Sequence, residues 1–231
     1  WSSDVCSSDL FKNIKSGDLY PLDINIKPTL DLAKTLFALS AYRANDISDF
    51  IEQGRHHRQT REGSQPVAAL TLWLTSMDEI KIEQIKSEAQ HSFDDVWYFE
   101  VQEKIVLNKH QMDCNSSFTQ YALISKRPDI SKDSFFEHWH DHHTDIAIKT
   151  QSTFSYIQNT IIKSSSKSLG TYLAVVEESF PIKALCDPMI FYAASSKETL
   201  KYNLDLMMHS CQKFLNFDEI IVFPTRQLNL L

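Results

Sequence analysis

The densest chemistry in this chain lies in FFEHWHDHHTDIA, where His138, His140, His142 and His143 fall within six positions. Imidazole titrates near neutrality, so such a cluster can take a proton from a group beside a carbonyl or phenol and return it elsewhere. It can equally ligate a metal or bond buried carbonyls. His138 with His142, or His140 with His143, stand one helical turn apart. Matching carboxylate or cysteine ligands are not evident and there is no HExxH, so zinc or another metal is disfavoured. Two readings stay open: histidines that satisfy a helix–sheet interface, and histidines that move protons. Wound at about 100° per residue, the segment puts Phe135, Trp139, His142 and Ile146 in one stripe, with Phe136 and His143 at its border. His142 and His143 are therefore expected at the covered side as candidate catalytic residues. His138 and His140 fall on the shoulders, and Glu137, Asp141 and Asp145 on the outer face.

The flanking elements must hold that helix. SFTQYALISKRP alternates, with Tyr121, Leu123 and Ser125 on one face and Ala122 and Ile124 on the other, and ends in a proline: a strand and a turn. Ser131 can cap a helix from Lys132 to about Lys149, with Asp133 in its first turn. Residues 153–165 and 171–178 read as two antiparallel strands around a Ser-rich turn. An irregular apolar segment follows. A helix capped by Ser195 and Glu198 then carries Leu200, Leu204, Met207, Met208, Cys211 and Leu215 at helical spacing, and DEIIVFPTRQ gives a last strand. The order β-α-β-β-α-β predicts an α+β, ferredoxin-like sheet covered by helices on one face, over residues 118–231.

The polar stretch around residues 108–118 marks a boundary, and residues 11–110 read as a weaker copy of the same unit. Strand 67–74, a helix through SMDEIKIEQIKSEAQ and strand 96–107 reproduce its end, with FDDVWYF echoing FDEIIVF. Residues 29–60 read either as two helices or as a strand, KTLFALSAY, with a helix, DISDFIEQGRHH. Two such sheets packed face to face would form one barrel as a tandem pseudo-dimer within the chain, or two chains would meet as a homodimer. The first ten residues, WSSDVCSSDL, lack the charge and apolar core of a signal peptide. They resemble the translation of a short-read sequencing adapter. On that reading they are an artefactual leader, expected to be exposed and poorly ordered, and the first unit is expected to be truncated.

Composition limits the partners. With 23 Lys+Arg against 30 Asp+Glu and a net charge of −7, the chain offers no basic field for nucleic acid. No apolar run is long enough to span a bilayer as a helix, so no membrane partner is expected. Four cysteines without close spacing suggest reduced, mostly buried thiols and a cytoplasmic location.

SKRPDISKDSFFEHWHDHHTDIA resembles the opening of an EthD-type domain, a strand ending in a basic-Pro turn followed by Phe-x-x-x-Trp-x-x-x-His-x-Pro-Leu-Ala. Phe135, Trp139 and His143 match, Ile146 and Ala147 stand at the Leu-Ala positions, and Asp145 replaces the proline. In SYIQNTII, Tyr156, Gln158 and Asn159 match the family's second strand, typically Tyr-Val-Gln-Asn. The resemblance implies a dimeric α/β-barrel enclosing a pocket for a small hydrophobic or aromatic molecule. It also implies His143 as the acid–base residue, Trp139 and Tyr156 stacking on substrate, Phe135 among the substrate-binding residues, and Gln158 or Asn159 orienting an oxygen. The reaction expected is His-assisted proton transfer of cyclase, dehydratase, decarboxylase or cofactor-free oxygenase type. The alternatives are a non-catalytic accessory binder and a barrel in which a histidine ligates haem; otherwise no cofactor is implied.

Overall fold

The computed structural model describes residues 5–14, 23–37, 41–46, 57, 59, 66–74, 76–109, 116–165 and 169–228. Along the first half run β1 (Val5–Ile14), α1 (Asp23–Leu36), β2 (Ala41–Asp46), β3 (Pro66–Leu74), α2 (Glu79–Ser92) and β4 (Phe93–Asn108). The second half has β5 (Ser117–Ser125), α3 (Lys132–His138), a π-helical turn (Trp139–His143), α4 (Thr144–Thr150), β6 (Ser155–Ser164), β7 (Tyr172–Pro181), a 3₁₀ turn (Ile182–Leu185), α5 (Pro188–Phe191), α6 (Lys197–Phe214) and β8 (Ile221–Leu228). The order β-α-β-β-α-β occurs in each half. The eight strands close into one barrel, β1-β3-β2-β8-β5-β7-β6-β4. Its two seams, β2 with β8 and β4 with β6, join the halves by antiparallel ladders. Among the described strands, closure leaves no sheet edge unpaired.

Alternation along each strand sends one set of side chains into the barrel and the other toward the helices. On β5, Tyr121 and Leu123 join Phe99, Val101, Val175, Ile221 and Phe223 inside, while Ala122 and Ile124 pack under the helices. The interior also holds a polar network that ties the halves together. Arg43 Nη2 donates to Glu177 Oε1 at 2.8 Å and to Glu103 Oε2 at 3.3 Å, and Asn159 Nδ2 donates to the same Glu177 oxygen at 2.8 Å. Tyr121 donates to Asn45, and Asn45 to Thr225.

Four expectations are revised. Of WSSDVCSSDL, residues 1–4 lie outside the described residues, and Val5–Leu10 are the first part of β1, paired on both sides, Cys6 with Trp73 of β3 and with Val101 of β4. Ladder bonds are made by backbone, so a polar stretch can fill the gap between two strands that would otherwise present open edges. Over the described part of residues 29–46 the chain follows neither reading given for it. Lys34–Leu36 end a helix with Pro28 in its first turns, and the strand begins only at Ala41; the helix expected over residues 47–58 lies outside the described residues, apart from His57. The cap of α6 is Ser196, whose hydroxyl accepts from the Thr199 amide, one residue beyond Ser195. Finally, Cys186 is exposed rather than buried, while Cys211 is half-buried. Among the described residues no helix is long and apolar enough to cross a membrane.

Candidate functional site between the sheet and its helices

A cavity of about 610 Å³ lies on the helix-covered face of the second half of the barrel. Its floor is Ala122, Ile124, Tyr156, Val176, Glu178 and Val222, and its roof includes Trp139, His143, Met207, Cys211 and Phe214. The first half reaches in as well. Gln59 exchanges backbone bonds with Val222, and His57 Nε2 lies 3.0 Å from the Leu185 carbonyl, packed against Phe118 and Phe191.

The roof depends on the π turn. The Thr144 amide donates to the Trp139 carbonyl five residues back, and the Thr144 hydroxyl donates to that same carbonyl at 2.7 Å. A wide turn inserts about one extra residue and rotates everything after it, and such turns recur at functional sites. The buried stripe accordingly runs Phe135, Trp139, His143, Thr144, Ala147 and Thr150. His142, placed in the stripe by uniform winding, is exposed and lies against His138, with ring centroids 5.5 Å apart. His143 takes its place under the helix, 8% exposed, and lines the cavity.

Each expected site residue now has a location. Trp139 and Tyr156 are buried in the cavity wall, and Trp139 Nε1 donates to the Tyr156 hydroxyl at 2.9 Å. Phe135 is buried behind Trp139 and Phe214 and is not part of the lining. Gln158 and Asn159 point to opposite faces of β6, as consecutive strand residues must. Gln158 Nε2 donates to the Thr144 hydroxyl at 2.8 Å and so braces the π turn, whereas Asn159 enters the barrel and bonds Glu177. The two therefore cannot share the task of orienting one oxygen in the cavity.

The group that sequence reasoning missed is Glu178. It shares the helix-facing side of β7 with Ala174 and Val176, is 9% exposed, and its Oε1 is buried without a hydrogen-bond partner. Burial pushes its carboxyl up to about 7. Burial, then the Glu178 charge, pushes the Tyr156 phenol up as well, and the same two causes raise the Cys211 thiol to about 12. Burial and, secondarily, His138 pull the His143 imidazole down to about 4. At neutral pH the cavity thus holds a neutral imidazole, a neutral phenol and a carboxyl poised between its two states. Both groups line the same cavity, and burial displaces them in opposite directions, the carboxyl up and the imidazole down.

Among the described residues no group of three or more His, Cys, Asp or Glu comes together to hold a metal ion. Haem would need an axial imidazole and cations for its propionates. His143 offers a ring nitrogen, but the described lining contains neither Lys nor Arg and brings in the carboxyls of Glu178 and Asp187. The residues present do not fit that group.

Residues 127–203 match the family model of the EthD domain. That span starts in the turn after β5, ends within α6, and contains Trp139, His143, Tyr156 and Glu178. No curated protein matches the chain. Solved structures share the fold over nearly its whole length. An anthrone oxidase-like protein superposes with a TM-score of 0.52 at 6% identity, covering 99% of this chain and 92% of that one. A candidate monooxygenase from Fusobacterium nucleatum subsp. nucleatum ATCC 25586 gives 0.50 at 10% identity, covering 98% and 92%. A dye-decolorizing peroxidase from Bacteroides thetaiotaomicron gives 0.50 at 7%, covering 98% and 94%. At these identities the likeness is one of fold: a curled antiparallel sheet with outer helices, the dimeric α/β-barrel, ferredoxin-like architecture. One fold hosts many chemistries, so the reaction must be argued from the cavity.

Proposed function

We propose that the protein binds a hydrophobic, aromatic small molecule in the cavity under α3–α4 and α6 and catalyses proton transfer on it. Glu178 is the base and acid, and His143 is a neutral group that hydrogen-bonds the substrate. The observation that carries this reading is the unpartnered Glu178 carboxyl opening into an otherwise largely apolar cavity. A buried carboxyl without a partner costs stability, and a general base works best when it titrates near the working pH. Trp139 and Tyr156 supply flat apolar wall for an aromatic ring, with the phenol fixed by the indole N–H. The role first given to His143 is thereby divided, and His142, on the outside of the helix, has no part in it. We also infer that the two β-α-β-β-α-β units act as an internal pseudo-dimer, so that one chain completes the barrel.

Anthrone is a suitable probe, being a tricyclic carbon acid, with 1-naphthol as a non-enolising control for binding. Calorimetry should show both bound, and in D₂O the protein should accelerate exchange of the acidic C10 protons of anthrone. Glu178→Gln should keep binding and lose the acceleration. Binding without any acceleration would make the protein a passive carrier, and failure of both probes to bind would overturn the aromatic-ligand reading. A monomer by light scattering supports the single-chain barrel, and an obligate dimer overturns it.

A further inference from the structure

The Ser210 hydroxyl lies on the buried face of α6, where it meets two imidazoles at once. Its Oγ is 3.1 Å from His138 Nε2 and 3.0 Å from His143 Nδ1. Ser210 is 1% exposed, His143 faces the cavity, and His138 is half-buried beside the exposed His142. A serine hydroxyl has one hydrogen and can donate to only one ring. If both contacts are hydrogen bonds, the other ring must donate to it. Two rings of complementary tautomer joined through one hydroxyl make a path along which a proton can pass by exchange of bonds.

We infer that His138, Ser210 and His143 form a relay that carries protons between solvent and the cavity. Inward, a protonated His138 gives its Nε2 proton to Ser210 Oγ as the hydroxyl gives its own proton to His143 Nδ1. One N–H and one O–H bond break while one O–H and one N–H form. His143, briefly an imidazolium, then releases the proton on Nε2, the nitrogen Ser210 does not occupy, to an acceptor in the cavity. Reverse passage restores the starting tautomers. This rests on the proton-transfer reading of the cavity and adds what that reading lacks, a route by which a proton taken up by Glu178 exchanges with water while the substrate fills the entrance. Burial first, and then its neighbours His142 and Lys213, pull the His138 imidazole down and so disfavour a resting proton on it. The inner end is walled by the Phe214 ring, 4.8 Å from that of His143. A proton therefore has no stable stopping place on the path, as fast transit requires.

The test needs no ligand. In protein carrying ¹⁵N-histidine, the exchange of the His143 ring proton with water is measured by saturation transfer, and its tautomer is read from the ¹⁵N shifts. Ser210→Ala should slow exchange by about tenfold or more, the scale of a lost positioned proton donor, and shift the Nδ1 resonance. Ser210→Thr, which keeps the hydroxyl, should restore both. His138→Gln, at a half-buried position, should slow exchange as Ser210→Ala does and carries the test if that variant does not fold. Exchange at the wild-type rate in His138→Gln, or in a folded Ser210→Ala, overturns the relay. Because no ligand is present, this failure leaves the cavity reading untouched, and a cavity that binds no aromatic probe leaves the exchange result standing.

Discussion

The two helix-covered faces of the barrel share a strand order and are filled in different ways. Under α1 and α2 the space is packed by aliphatic and aromatic side chains, among them Ile26, Leu30, Phe37, Leu70, Leu72, Ile82, Ile85 and Phe93. Under α3–α4 and α6 the corresponding layer contains a cavity with His143 and Glu178 in its wall. Strand register brings the difference down to single positions. Tyr42 pairs with Leu72 across β2 and β3, and Tyr156 with Glu178 across β6 and β7. Three residues further along, Asn45 pairs with Ala69 and Asn159 with Val175, and both asparagines are buried. Leu72 and Glu178 therefore hold matching register positions in the two halves of the barrel. The fold provides a layer that either half could fill, and the cavity lies where one half has a carboxyl and a wide helical turn in place of aliphatic packing.

Exchanging the two residues tests that contrast and should produce the largest effects. Leu72→Glu puts an unpaired carboxyl into a filled layer and removes a buried leucine, so urea unfolding at pH 8 should show a loss of about 4 kcal/mol. Glu178→Leu should move the other way. Its folded-state titration near 7, against an ordinary 4.5, means that the native state holds the proton more tightly. Stability is thus lost as pH rises from about 4.5 to 7 and is level above. Removing the carboxyl should gain about 3 kcal/mol at pH 8 and little from that source at pH 4. An equal gain at both pH values would mean that packing, not ionisation, separates the two layers.

His143 provides the opposite slope. Burial lowers its titration to about 4 from 6.5, so the unfolded chain binds the proton first and stability falls as pH drops from 6.5 toward 4. Between about 4.5 and 6.5 the two groups offset each other in the wild type. His143→Gln should expose the falling slope of Glu178, and Glu178→Gln the rising slope of His143, each amounting to about 3 kcal/mol across its range. Parallel curves for wild type and both variants would sink the paired-titration account.

Much of this architecture is written in local pattern. Alternation in SFTQYALIS states which side chains enter the barrel, and Ser131 marks the start of α3 because its hydroxyl accepts from the Ser134 amide. The features that make the site were harder to see for specific reasons. Glu177 and Glu178 stand together as a pair that reads as a solvated strand end, yet alternation sends one into the barrel to Arg43 and the other into the cavity. Ser210 interrupts the apolar stripe of α6, but it falls in the buried row Asn203, Met207, Ser210 and Phe214, and its partners come from a helix 67 and 72 residues earlier. The displacement of His142 by His143 follows from one wide turn, which uniform winding cannot anticipate. β1 was hidden because backbone pairing leaves little trace in side-chain pattern.

The wide turn is itself open to test, with a smaller effect. Thr144 closes it from both sides, donating to the Trp139 carbonyl and accepting from Gln158. Thr144→Val keeps the shape and removes both bonds, at a cost of about 1 to 2 kcal/mol. The sharper consequence is positional. With only the backbone amide of residue 144 left to hold the Trp139 carbonyl, the segment can regain ordinary α-helical winding, which rotates His143 off Ser210 and brings His142 toward the cover. Histidine ¹⁵N shifts should then show His143 losing its serine-bonded signature while the circular dichroism of the barrel stays unchanged. If His143 keeps its contact in Thr144→Val, packing of Trp139 and Phe214 holds the turn open. The difference between the two halves would then lie in their aromatic residues rather than in the hydroxyl.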